Sequence, residues 1–551
     1  LFTFYFLLAY ACWQALSSRI QALKARQRLT LISIVPLCFA GALLLAAVIL
    51  LPLVEVSLFT AARQGGASYH FATTDSLPPK HLITFLAPVF FGHPADDSFW
   101  ETTTGYHEIC GYMGILPLIL ASVVLIRRPG RPFFVATAVA SVVFAMGSFT
   151  PAFRILYHLI PGFVWFRVPA RLLLIYSFSM AVLAAMGTAD LVEREAKPIG
   201  RTTKILWGSL VAVLVVVAVV LSIGRPRVEE HLADQQKQRE IQYSQESGEP
   251  FSPSPEWEQE TRAACVKRFE TMRSSVHQAL LWTALSLFAV ILYIKGKQSP
   301  ALLGGLLLLV ADLGLFNYGL LPYQDRDYYD CTAFAETETV RLLKSDGELF
   351  RVLTMDSAIG FLTRKTHPEI YPERLTVHGI QSVRGYNPIV LKHYAAHINR
   401  MQGFPADQPV GGLLFLPLEQ RLSRQALNLM NVRYLLTYRG APPGFDLVLQ
   451  DSGLSVYRNR QEHPRAYIVR NNALTRDPVE IEEYNANSVT LKTKLDEAGV
   501  LVLADTWYPG WKALINGQKT DVEPFNEVFR AVLLEPGEHE VTFVFKPKSF
   551  F

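Results

Sequence analysis

Long apolar runs alternate with short basic segments over the first 320 or so residues of the chain. A helix needs about 20 mostly apolar residues to cross a bilayer, because its backbone polar groups must be satisfied within the segment. Eight runs reach or approach that length: residues 1–16, 29–54, 109–126, 132–149, 168–191, 205–223, 277–294 and 301–321. The pattern predicts a transmembrane domain of about eight helices over residues 1–322.

Basic residues are concentrated in every second connection between these runs. The basic connections lie at residues 19–28, 127–131, 194–204 and 295–297. Short cytoplasmic loops of membrane proteins carry an excess of Lys and Arg, so we predict that these four connections are cytoplasmic. The outward loops are then residues 55–108, 150–167 and 224–276, and everything after residue 322 is extracytoplasmic.

The outward loops differ in composition. Residues 81–91 and 153–166 are apolar and aromatic but too short to span, which is typical of interfacial or re-entrant segments. Residues 225–262 are rich in Glu, Gln and Arg and contain a Ser-Pro-Ser-Pro sequence at 252–255. This composition predicts a solvated, partly disordered excursion.

The hydropathy falls to that of a soluble domain from Tyr323 onward. Helix-like segments near 333–345, 388–401 and 419–430 are interleaved with strand-like segments at 349–354, 432–437 and 454–457. Alternating helix and strand patterns favour a mixed sheet with helices packed on it. We therefore predict an extracytoplasmic mixed α/β module over residues 323–464.

Only strand patterns are found beyond about residue 465. The alternating segments are 466–469, 488–492, 499–503, 511–515, 528–533 and 539–545. Asn516-Gly517 and Pro536-Gly537 are typical turn sequences between such strands. The pattern predicts a β-sandwich-like domain over residues 465–551. The predicted fold class is thus a polytopic α-helical membrane domain followed by an extracytoplasmic α/β module and this sandwich.

Composition and charge narrow the class of protein. Half of the residues are hydrophobic and 18% are charged, against roughly 25% in soluble domains. The 52 basic and 48 acidic residues nearly balance, which argues against nucleic acid as a partner. The five cysteines show no disulfide or zinc spacing. The chain begins inside an apolar run and ends directly after a strand-like segment, so we expect it to be a fragment cut at both ends.

Several segments together resemble the bacterial YfhO-type membrane proteins, a family assigned to the GT-C class of glycosyltransferases. The segments are Pro52–Glu55 with Arg63, Tyr106–Glu108 with Tyr112–Pro117, Phe166–Arg171, Gly379–Tyr386, and Tyr508–Trp511 with Pro536–His539. The resemblance covers nearly the whole chain. It implies a multi-pass protein of the bacterial plasma membrane whose C-terminal domains are extracytoplasmic.

The resemblance also implies an activity. GT-C enzymes transfer a sugar from a polyprenyl-phosphate donor on the outer face, and members of this family are associated with glycosylation of cell-envelope polymers such as teichoic acids. The expected partners are membrane lipids, a polyprenyl-phosphate-linked sugar and a cell-envelope polymer or glycolipid acceptor. GT-C enzymes also carry a catalytic Asp in their first outward loop and a last membrane helix, and we expect both to lie outside residues 1–551, before residue 1 and after Phe551. The alternative is a non-catalytic glycolipid-binding protein or a transporter.

Carboxylates near the predicted outer surface are the candidates for catalysis. Sugar transfer from a lipid phosphate needs a carboxylate to accept the proton of the attacking hydroxyl. Glu55 and Glu108 lie at the outer ends of the second and third runs, and Asp97 lies in the loop between them. Asp96, Glu101, His93 and His107 are near them in sequence. The alternative is a solvated loop with interfacial anchors.

Arginines at the outer surface are the candidates for binding the donor phosphate. Arg167 and Arg171 flank Pro169 where the fifth run enters the membrane, and Arg63 belongs to a motif of the resemblance. Arg is always charged and binds phosphate in a bidentate manner. A divalent cation, Mg²⁺ or Mn²⁺, is a candidate cofactor for the same phosphate, with unknown ligands. The alternative is that these side chains extend to lipid headgroups.

Two further groups of residues are candidates for a function. Asp312, with Asn317, lies within the eighth run, where an ionisable group is costly and usually faces the bundle interior; a structural hydrogen bond is the alternative. Tyr386, Trp507 and Trp511 are candidates for acceptor or sugar binding, because aromatic faces suit carbohydrate rings. A core position is the alternative for the two tryptophans.

A histidine pair is the last candidate. His393 and His397 are spaced i, i+4 on a predicted helix and could hold zinc, but no third ligand is placed near them in the sequence. A solvated helix face is the favoured interpretation of this pair.

Overall fold

The computed structural model divides the chain into two compact units. The helical unit comprises Leu1–Leu44 and Gly66–Tyr323, and the C-terminal unit comprises Leu45–Gly65 and Gln324–Phe551. The residues that the structure describes are 2–16, 25–60, 68–93, 98–100, 105–123, 131–161, 163–165, 167–193, 200–247, 253, 255–320, 336–355, 374–385, 389–407, 423–438, 440, 443–451, 453–471 and 473–549.

Helices make up most of the first 320 residues. The α-helices of the described residues are α1 (Phe2–Leu16), α2 (Ala25–Leu45), α3 (Ala47–Ser57), α4 (Tyr69–Ala72), α5 (Tyr106–Ile109), α6 (Ile115–Val123), α7 (Arg131–Ala145), α8 (Ala152–Leu159), α9 (Leu173–Val192), α10 (Arg201–Ile223), α11 (Arg225–Ser247), α12 (Pro255–Ile294), α13 (Gln298–Leu320), α14 (Glu338–Ser345), α15 (Lys392–Met401) and α16 (Arg424–Leu429). Short 3₁₀ helices include Pro79–Phe85 and Pro169–Leu172.

Four of these helices are long and apolar enough to cross a membrane. They are Pro169–Val192, Arg201–Ile223, Trp257–Ile294 and Gln298–Tyr318, and a broken pair, Pro36–Leu45 with Ala47–Ser57, is a fifth candidate if it forms one span. In their described parts α1 and α7 have 15 residues and α6 has nine. Of the eight predicted spans, four or five therefore meet the length and composition of a membrane helix.

The prediction for residues 225–262 was wrong for the residues described there. They form α11 and the start of α12, which together make a helical hairpin. Its Leu232 and Cys265 are buried in one small cluster with Trp100. Side-chain pairs one turn apart, such as Arg225 with Glu229 at 2.9 Å, also favour the helix. The prediction failed because it rested on the charged composition, although one face of the helix carries an apolar stripe.

The C-terminal unit contains three five-stranded sheets. Its strands are β1 (Arg351–Met355), β2 (Gln381–Ser382), β3 (Val432–Thr437), β4 (Phe445–Asp451), β5 (Leu454–Asn459), β6 (Ala466–Arg470), β7 (Ala473–Leu474), β8 (Val479–Tyr484), β9 (Ser488–Leu495), β10 (Gly499–Thr506), β11 (Trp511–Ile515), β12 (Gln518–Asp521), β13 (Glu523–Phe525), β14 (Phe529–Leu534) and β15 (Gly537–Phe545). Every strand predicted from the sequence overlaps one of these elements.

The first sheet has the strand order β2-β1-β3-β5-β4 and is mixed. Strand β1 runs parallel to both β2 and β3, whereas β3, β5 and β4 are antiparallel. Helix α14 begins at the cap residue Thr337, whose side chain accepts a hydrogen bond from the backbone N–H of Val340. The region therefore combines helices with a mixed sheet, as the sequence predicted.

The other two sheets are antiparallel and share a core. Their orders are β13-β14-β10-β6-β7 and β12-β11-β15-β9-β8. Buried residues of both sheets, such as Leu501 and Phe543, belong to one hydrophobic cluster. Strands β11 and β12 are joined by Asn516 and Gly517, both at positive φ, as the two-residue hairpin turn predicted from Asn-Gly requires.

The first sheet also packs against the second. One hydrophobic cluster contains Leu353 and Leu435 of the first sheet together with Tyr467 and Val502 of the second. The cluster includes residues on both sides of position 465, where the sequence suggested a domain boundary. The three sheets are therefore connected by buried apolar surface within the C-terminal unit.

Candidate functional site

Glu108 and Arg171 form a forked ion pair in the helical unit. The Nε of Arg171 donates to both carboxylate oxygens of Glu108 at 3.1 and 3.0 Å, and its Nη2 donates to Oε1 at 2.6 Å. The Arg171 side chain is 54% exposed and that of Glu108 is 15% exposed. The guanidinium group of the pair therefore faces solvent, whereas the carboxylate that holds it is largely buried.

The backbone beside Arg171 has an unusual conformation. Val168 has φ +69°, in the left-handed region that β-branched residues rarely adopt, and it is buried. The following residue, Pro169, begins the 3₁₀ helix that carries Arg171. Such strain costs about 1–3 kcal/mol and persists only where the surrounding packing fixes it. Arg167 and Arg171 are thus placed on either side of a strained turn.

Asp75 is a carboxylate that the sequence analysis did not single out. It has φ +56° in the loop that follows α4. Its neighbour Ser76 accepts a hydrogen bond from the backbone N–H of Ser148 at 3.1 Å. A Cβ at Gly147 would lie 2.1 Å from the Ser76 Oγ, so this glycine allows the close approach. The loop that carries Asp75 is therefore fixed against the end of α7.

The charges of Asp75, His107, Glu108, Arg167 and Arg171 act on one another, and we refer to these residues as the Asp75–Arg171 cluster. Burial raises the pKa of Asp75, with Arg167 the largest opposing influence. The hydrogen bond from Arg171 lowers the pKa of Glu108. The pKa values of the two carboxylates are thus shifted in opposite directions, which is the pattern that distinguishes a base from a permanently charged group.

The remaining members lie at the edge of the cluster. The His107 Nε2 is 3.8 Å from the Glu108 carboxylate, and its side chain is 82% exposed. The guanidinium carbon of Arg167 lies 5.5 Å from the centre of the Phe71 ring. Arg167 therefore adds positive charge around the carboxylates, and neither residue forms a fork of its own in the described contacts.

The structure places the other predicted catalytic and phosphate-binding residues as follows. Glu55 belongs to the C-terminal unit, where its Oε2 accepts a hydrogen bond from the backbone N–H of Ser549 at 2.8 Å. Arg63 and Asp97 lie outside the described residues, as does the acceptor candidate Tyr386. Of the predicted residues, Glu108, Arg167 and Arg171 lie in one cluster, and Glu55 does not belong to it. Asp75 could have been found as a carboxylate in the predicted outward loop 55–108.

Asp312 faces the interior of the helical unit, as predicted. It is 5% exposed, and its two oxygens accept hydrogen bonds from the Tyr112 hydroxyl at 2.5 Å and from the Ile115 backbone N–H at 3.0 Å. Ile115 is the first residue of α6, and the first four N–H groups of a helix have no partner within it. Asp312 therefore caps α6 from α13. Asn317 is exposed and bonds to the Leu313 carbonyl of its own helix.

The two tryptophans of the C-terminal unit differ in accessibility. Trp511 is 8% exposed, and the Arg530 guanidinium lies 3.4 Å from its ring centre. Trp507 is half-buried and donates its indole N–H to the Val522 carbonyl at 3.1 Å. The Trp511 ring belongs to the core shared by the two antiparallel sheets. Of the two, Trp507 keeps more of its ring accessible for stacking.

The interpretation of the histidine pair as a solvated face was wrong for His397. It is 8% exposed and its ring packs on Phe529, whereas the His393 ring packs on the edge of Trp507. Burial lowers the pKa of His397 to about 4. Among the described residues, no group of three or more His, Cys, Asp or Glu side chains could hold a metal ion.

Helices long enough to cross a membrane, followed in the chain by a region of three sheets, are typical of a membrane protein. Residues 449–551 match the family described as bacterial membrane protein YfhO. Residues 1–262 match a family of unknown function, DUF6541. The chain therefore carries a YfhO-family domain at its C-terminal end and a region that matches the DUF6541 family at its N-terminal end. Searches of curated proteins and of solved structures found no significant match.

Proposed function

We propose that the protein is a glycosyltransferase that takes a sugar from a polyprenyl-phosphate donor and passes it to a cell-envelope polymer or glycolipid. The observation that carries the proposal is the Asp75–Arg171 cluster, in which a carboxylate of raised pKa lies among arginines. The YfhO-family match supports a bacterial membrane protein. On this proposal the cluster faces the outer side of the membrane, together with the C-terminal unit.

Each residue of the cluster has a role in the proposed reaction. Asp75 accepts the proton of the acceptor hydroxyl while that oxygen bonds to the anomeric carbon of the sugar. The bond from the sugar to the phosphate oxygen breaks, and its electron pair stays on the phosphate. Arg167 and Arg171 stabilise that negative charge. Glu108 holds Arg171 in place through the fork.

The raised pKa supports Asp75 as the base. Its carboxylate retains a proton more readily than an exposed Asp, which brings its pKa closer to the pH at which the reaction runs. Glu108 has the opposite shift because both of its oxygens accept hydrogen bonds from Arg171. We therefore assign Glu108 to positioning and Asp75 to proton transfer. A divalent cation at the donor phosphate remains a further candidate.

Sugar transfer by the full-length protein in membranes tests the proposal. Asp75→Asn should reduce transfer from a polyprenyl-phosphate-linked sugar by about 10²-fold or more, because general bases contribute about 10²–10⁴. Glu270→Gln, on α12 and 39% exposed, removes a carboxylate outside the cluster and should leave transfer unchanged. Unchanged transfer in Asp75→Asn would reject the proposed base. If the unmodified protein binds the glycolipid but does not transfer its sugar, the result would favour the non-catalytic alternative.

Topology provides a second test. Alkaline phosphatase is active only outside the cytoplasm, so a fusion at Gln324 should be active and a fusion at Arg128 inactive. The basic connections at 127–131 and 194–204 motivate this orientation. An active fusion at Arg128 with an inactive one at Gln324 would show the opposite orientation and place the cluster on the cytoplasmic face.

A further inference from the structure

Two adjoining cavities lie inside the C-terminal unit. Their volumes are about 420 and 370 Å³, and both are lined by Thr376, Ser382, Tyr394 and Thr506. We refer to them together as the Ser382 cleft. The segment Gly379–Gly385, which is the described part of the YfhO-like motif Gly379–Tyr386, lines the cleft. A cleft of this size accommodates a ligand larger than a single ion.

Three arginines lie at or next to the cleft and share one carboxylate. Arg351 lines the larger cavity, and its Nη2 is 2.6 Å from the Asp505 Oδ1. Arg465 lies 3.0 Å from the same oxygen, and Arg530 lies 3.8 Å from Oδ2. Among the described residues, Asp505 is the only carboxylate within ion-pair distance of these three groups. Two positive charges therefore have no counter-charge there.

The arginines reach the cleft through residues that line it. The Arg465 Nη1 donates to the Gln381 side-chain oxygen at 2.8 Å, and the Arg530 Nε donates to the Thr506 carbonyl at 3.1 Å. Arg465 is 2% exposed, and its Nη2 has no hydrogen-bond partner within the described part of the chain. A buried guanidinium group without all its partners is costly, and an anion in the cleft would lower that cost.

Burial also lowers the pKa of two of these arginines. It lowers the pKa of Arg530 to about 10 and lowers the pKa of Arg465. Both remain charged at neutral pH, and both side chains lie in a largely buried region next to the cleft. Charges in such a region attract anions more strongly than charges in bulk water.

We infer that the Ser382 cleft binds an anionic carbohydrate or polyol chain, with a phosphate or carboxylate group held by the field of the three arginines. The hydroxyl and amide side chains of Thr376, Gln381 and Ser382 suit the hydroxyl groups of such a chain, and Ile380 and Phe529 suit its carbon skeleton. The inference extends the acceptor side of the proposed function. It concerns binding alone, so it stands or falls independently of sugar transfer.

Binding to the full chain in lipid nanodiscs tests the inference. The probes are a short glycerol phosphate oligomer, a short galacturonate oligomer and a neutral maltose oligomer, each titrated at low and high salt. We expect an anionic oligomer to bind at least about tenfold more tightly than the neutral one, with binding weakened by salt. The preferred anionic oligomer distinguishes phosphate from carboxylate chemistry.

Gln381→Glu is the decisive variant because it preserves shape and adds one negative charge. The new carboxylate still accepts the hydrogen bond from Arg465, so the fold should be as stable as before or more stable. It also neutralises part of the positive field, so affinity for the anionic oligomer should fall at least about tenfold. Arg424→Gln, which changes an exposed arginine outside the cleft, should leave binding unchanged.

Two results would overturn the inference. One is equal binding, or no binding, of anionic and neutral oligomers to the unmodified protein. The other is unchanged affinity in Gln381→Glu, since a stable protein with a less positive cleft must bind anions less well if the cleft is their site. Loss of sugar transfer in Asp75→Asn with normal oligomer binding would separate the outer cluster from this cleft.

Discussion

Arg171 donates three hydrogen bonds to Glu108, a residue 63 positions earlier in the chain. The fork engages both carboxylate oxygens, so Glu108 has little capacity left to accept a proton from a substrate. Arg171 retains donors toward solvent because its side chain is 54% exposed. This asymmetry suits an arginine that contacts a phosphate and a glutamate that orients it.

Glu108→Gln and Arg171→Ala should each reduce sugar transfer at least about tenfold. Loss of one preorganised donor to a developing negative charge typically costs a factor of 10² to 10³. Stability should change little, because the Arg171 side of the pair is 54% exposed and solvent-exposed ion pairs contribute about 1 kcal/mol or less. Transfer assays on full-length protein, together with thermal unfolding in detergent, measure both effects.

The matched control is Arg225→Ala. This residue forms an exposed pair with Glu229 in the same helical unit but lies outside the Asp75–Arg171 cluster. Arg225→Ala should change stability as little as Glu108→Gln and Arg171→Ala do, but it should leave transfer unchanged. Near-normal transfer in both Glu108→Gln and Arg171→Ala would assign these residues to anchoring alone.

Asp312→Asn should destabilise the helical unit. The carboxylate accepts from both Tyr112 and the N–H of Ile115, whereas an amide offers one acceptor oxygen. One buried donor then loses its partner at a cost of about 1–3 kcal/mol. Thermal unfolding in detergent measures the loss, and Asn317→Ala, an exposed change on the same helix, is the control.

The same variant separates capping from a functional charge. If Asp312 only caps α6, transfer per folded molecule should be unchanged in Asp312→Asn. A fall in transfer without any loss of stability would contradict the capping role and favour a functional role for the Asp312 charge.

Local patterns allowed most strands to be predicted, because strand alternation and turn residues act over a few positions. The missed strands are β2, β4, β7, β8, β12 and β13. Four of them have only two to four residues, whereas β4 and β8 have seven and six. Apolar runs gave the positions of the long helices. The hairpin of α11 and α12 was missed because its buried stripe is diluted by charged residues.

Pairings between distant residues could not be predicted from the sequence. Arg131 was assigned to a basic cytoplasmic connection, yet it is 5% exposed and pairs with Asp190, 59 positions later. The Tyr112–Pro117 motif gains a physical explanation only in the fold. Its tyrosine and its Ile115 N–H bind Asp312, and Gly114 adopts φ +88° before α6.

Asp505→Asn should destabilise the C-terminal unit by about 3–5 kcal/mol, because it leaves buried arginines without their carboxylate. Burial works to raise the pKa of Asp505, but the charges of Arg351, Arg530 and Arg465 outweigh it and hold the pKa below its ordinary value. The stabilisation is therefore present above the ordinary pKa of Asp and is lost as the pH falls through the lower, folded value.

Hydrogen exchange of β10 should detect that loss. Asp446→Asn is the control, because its carboxylate is 46% exposed and its ion pair with Arg460 lies on the surface. Equal exchange in the two variants would show that Asp505 is not the central counter-charge of the three arginines.

The stability of α15 should fall as the pH is lowered from about 6.5 to about 4. Burial favours neutral His397 and lowers its pKa to about 4, with Arg400 acting in the same direction. Unfolded chains bind a proton at about pH 6.5, so acid favours the unfolded state between the two values. The full effect is about 3 kcal/mol, and no further loss from this group is expected below about pH 4.

Hydrogen exchange of the backbone amides of Lys392–Met401 measures this dependence. His397→Gln should remove most of the pH slope, because its side chain does not titrate, while lowering stability at neutral pH through poorer packing on Phe529. His393→Gln, one turn earlier on α15, is the matched control and should keep the slope. If His397→Gln retains the slope, another group controls the acid response, and the buried neutral state of His397 is not its cause.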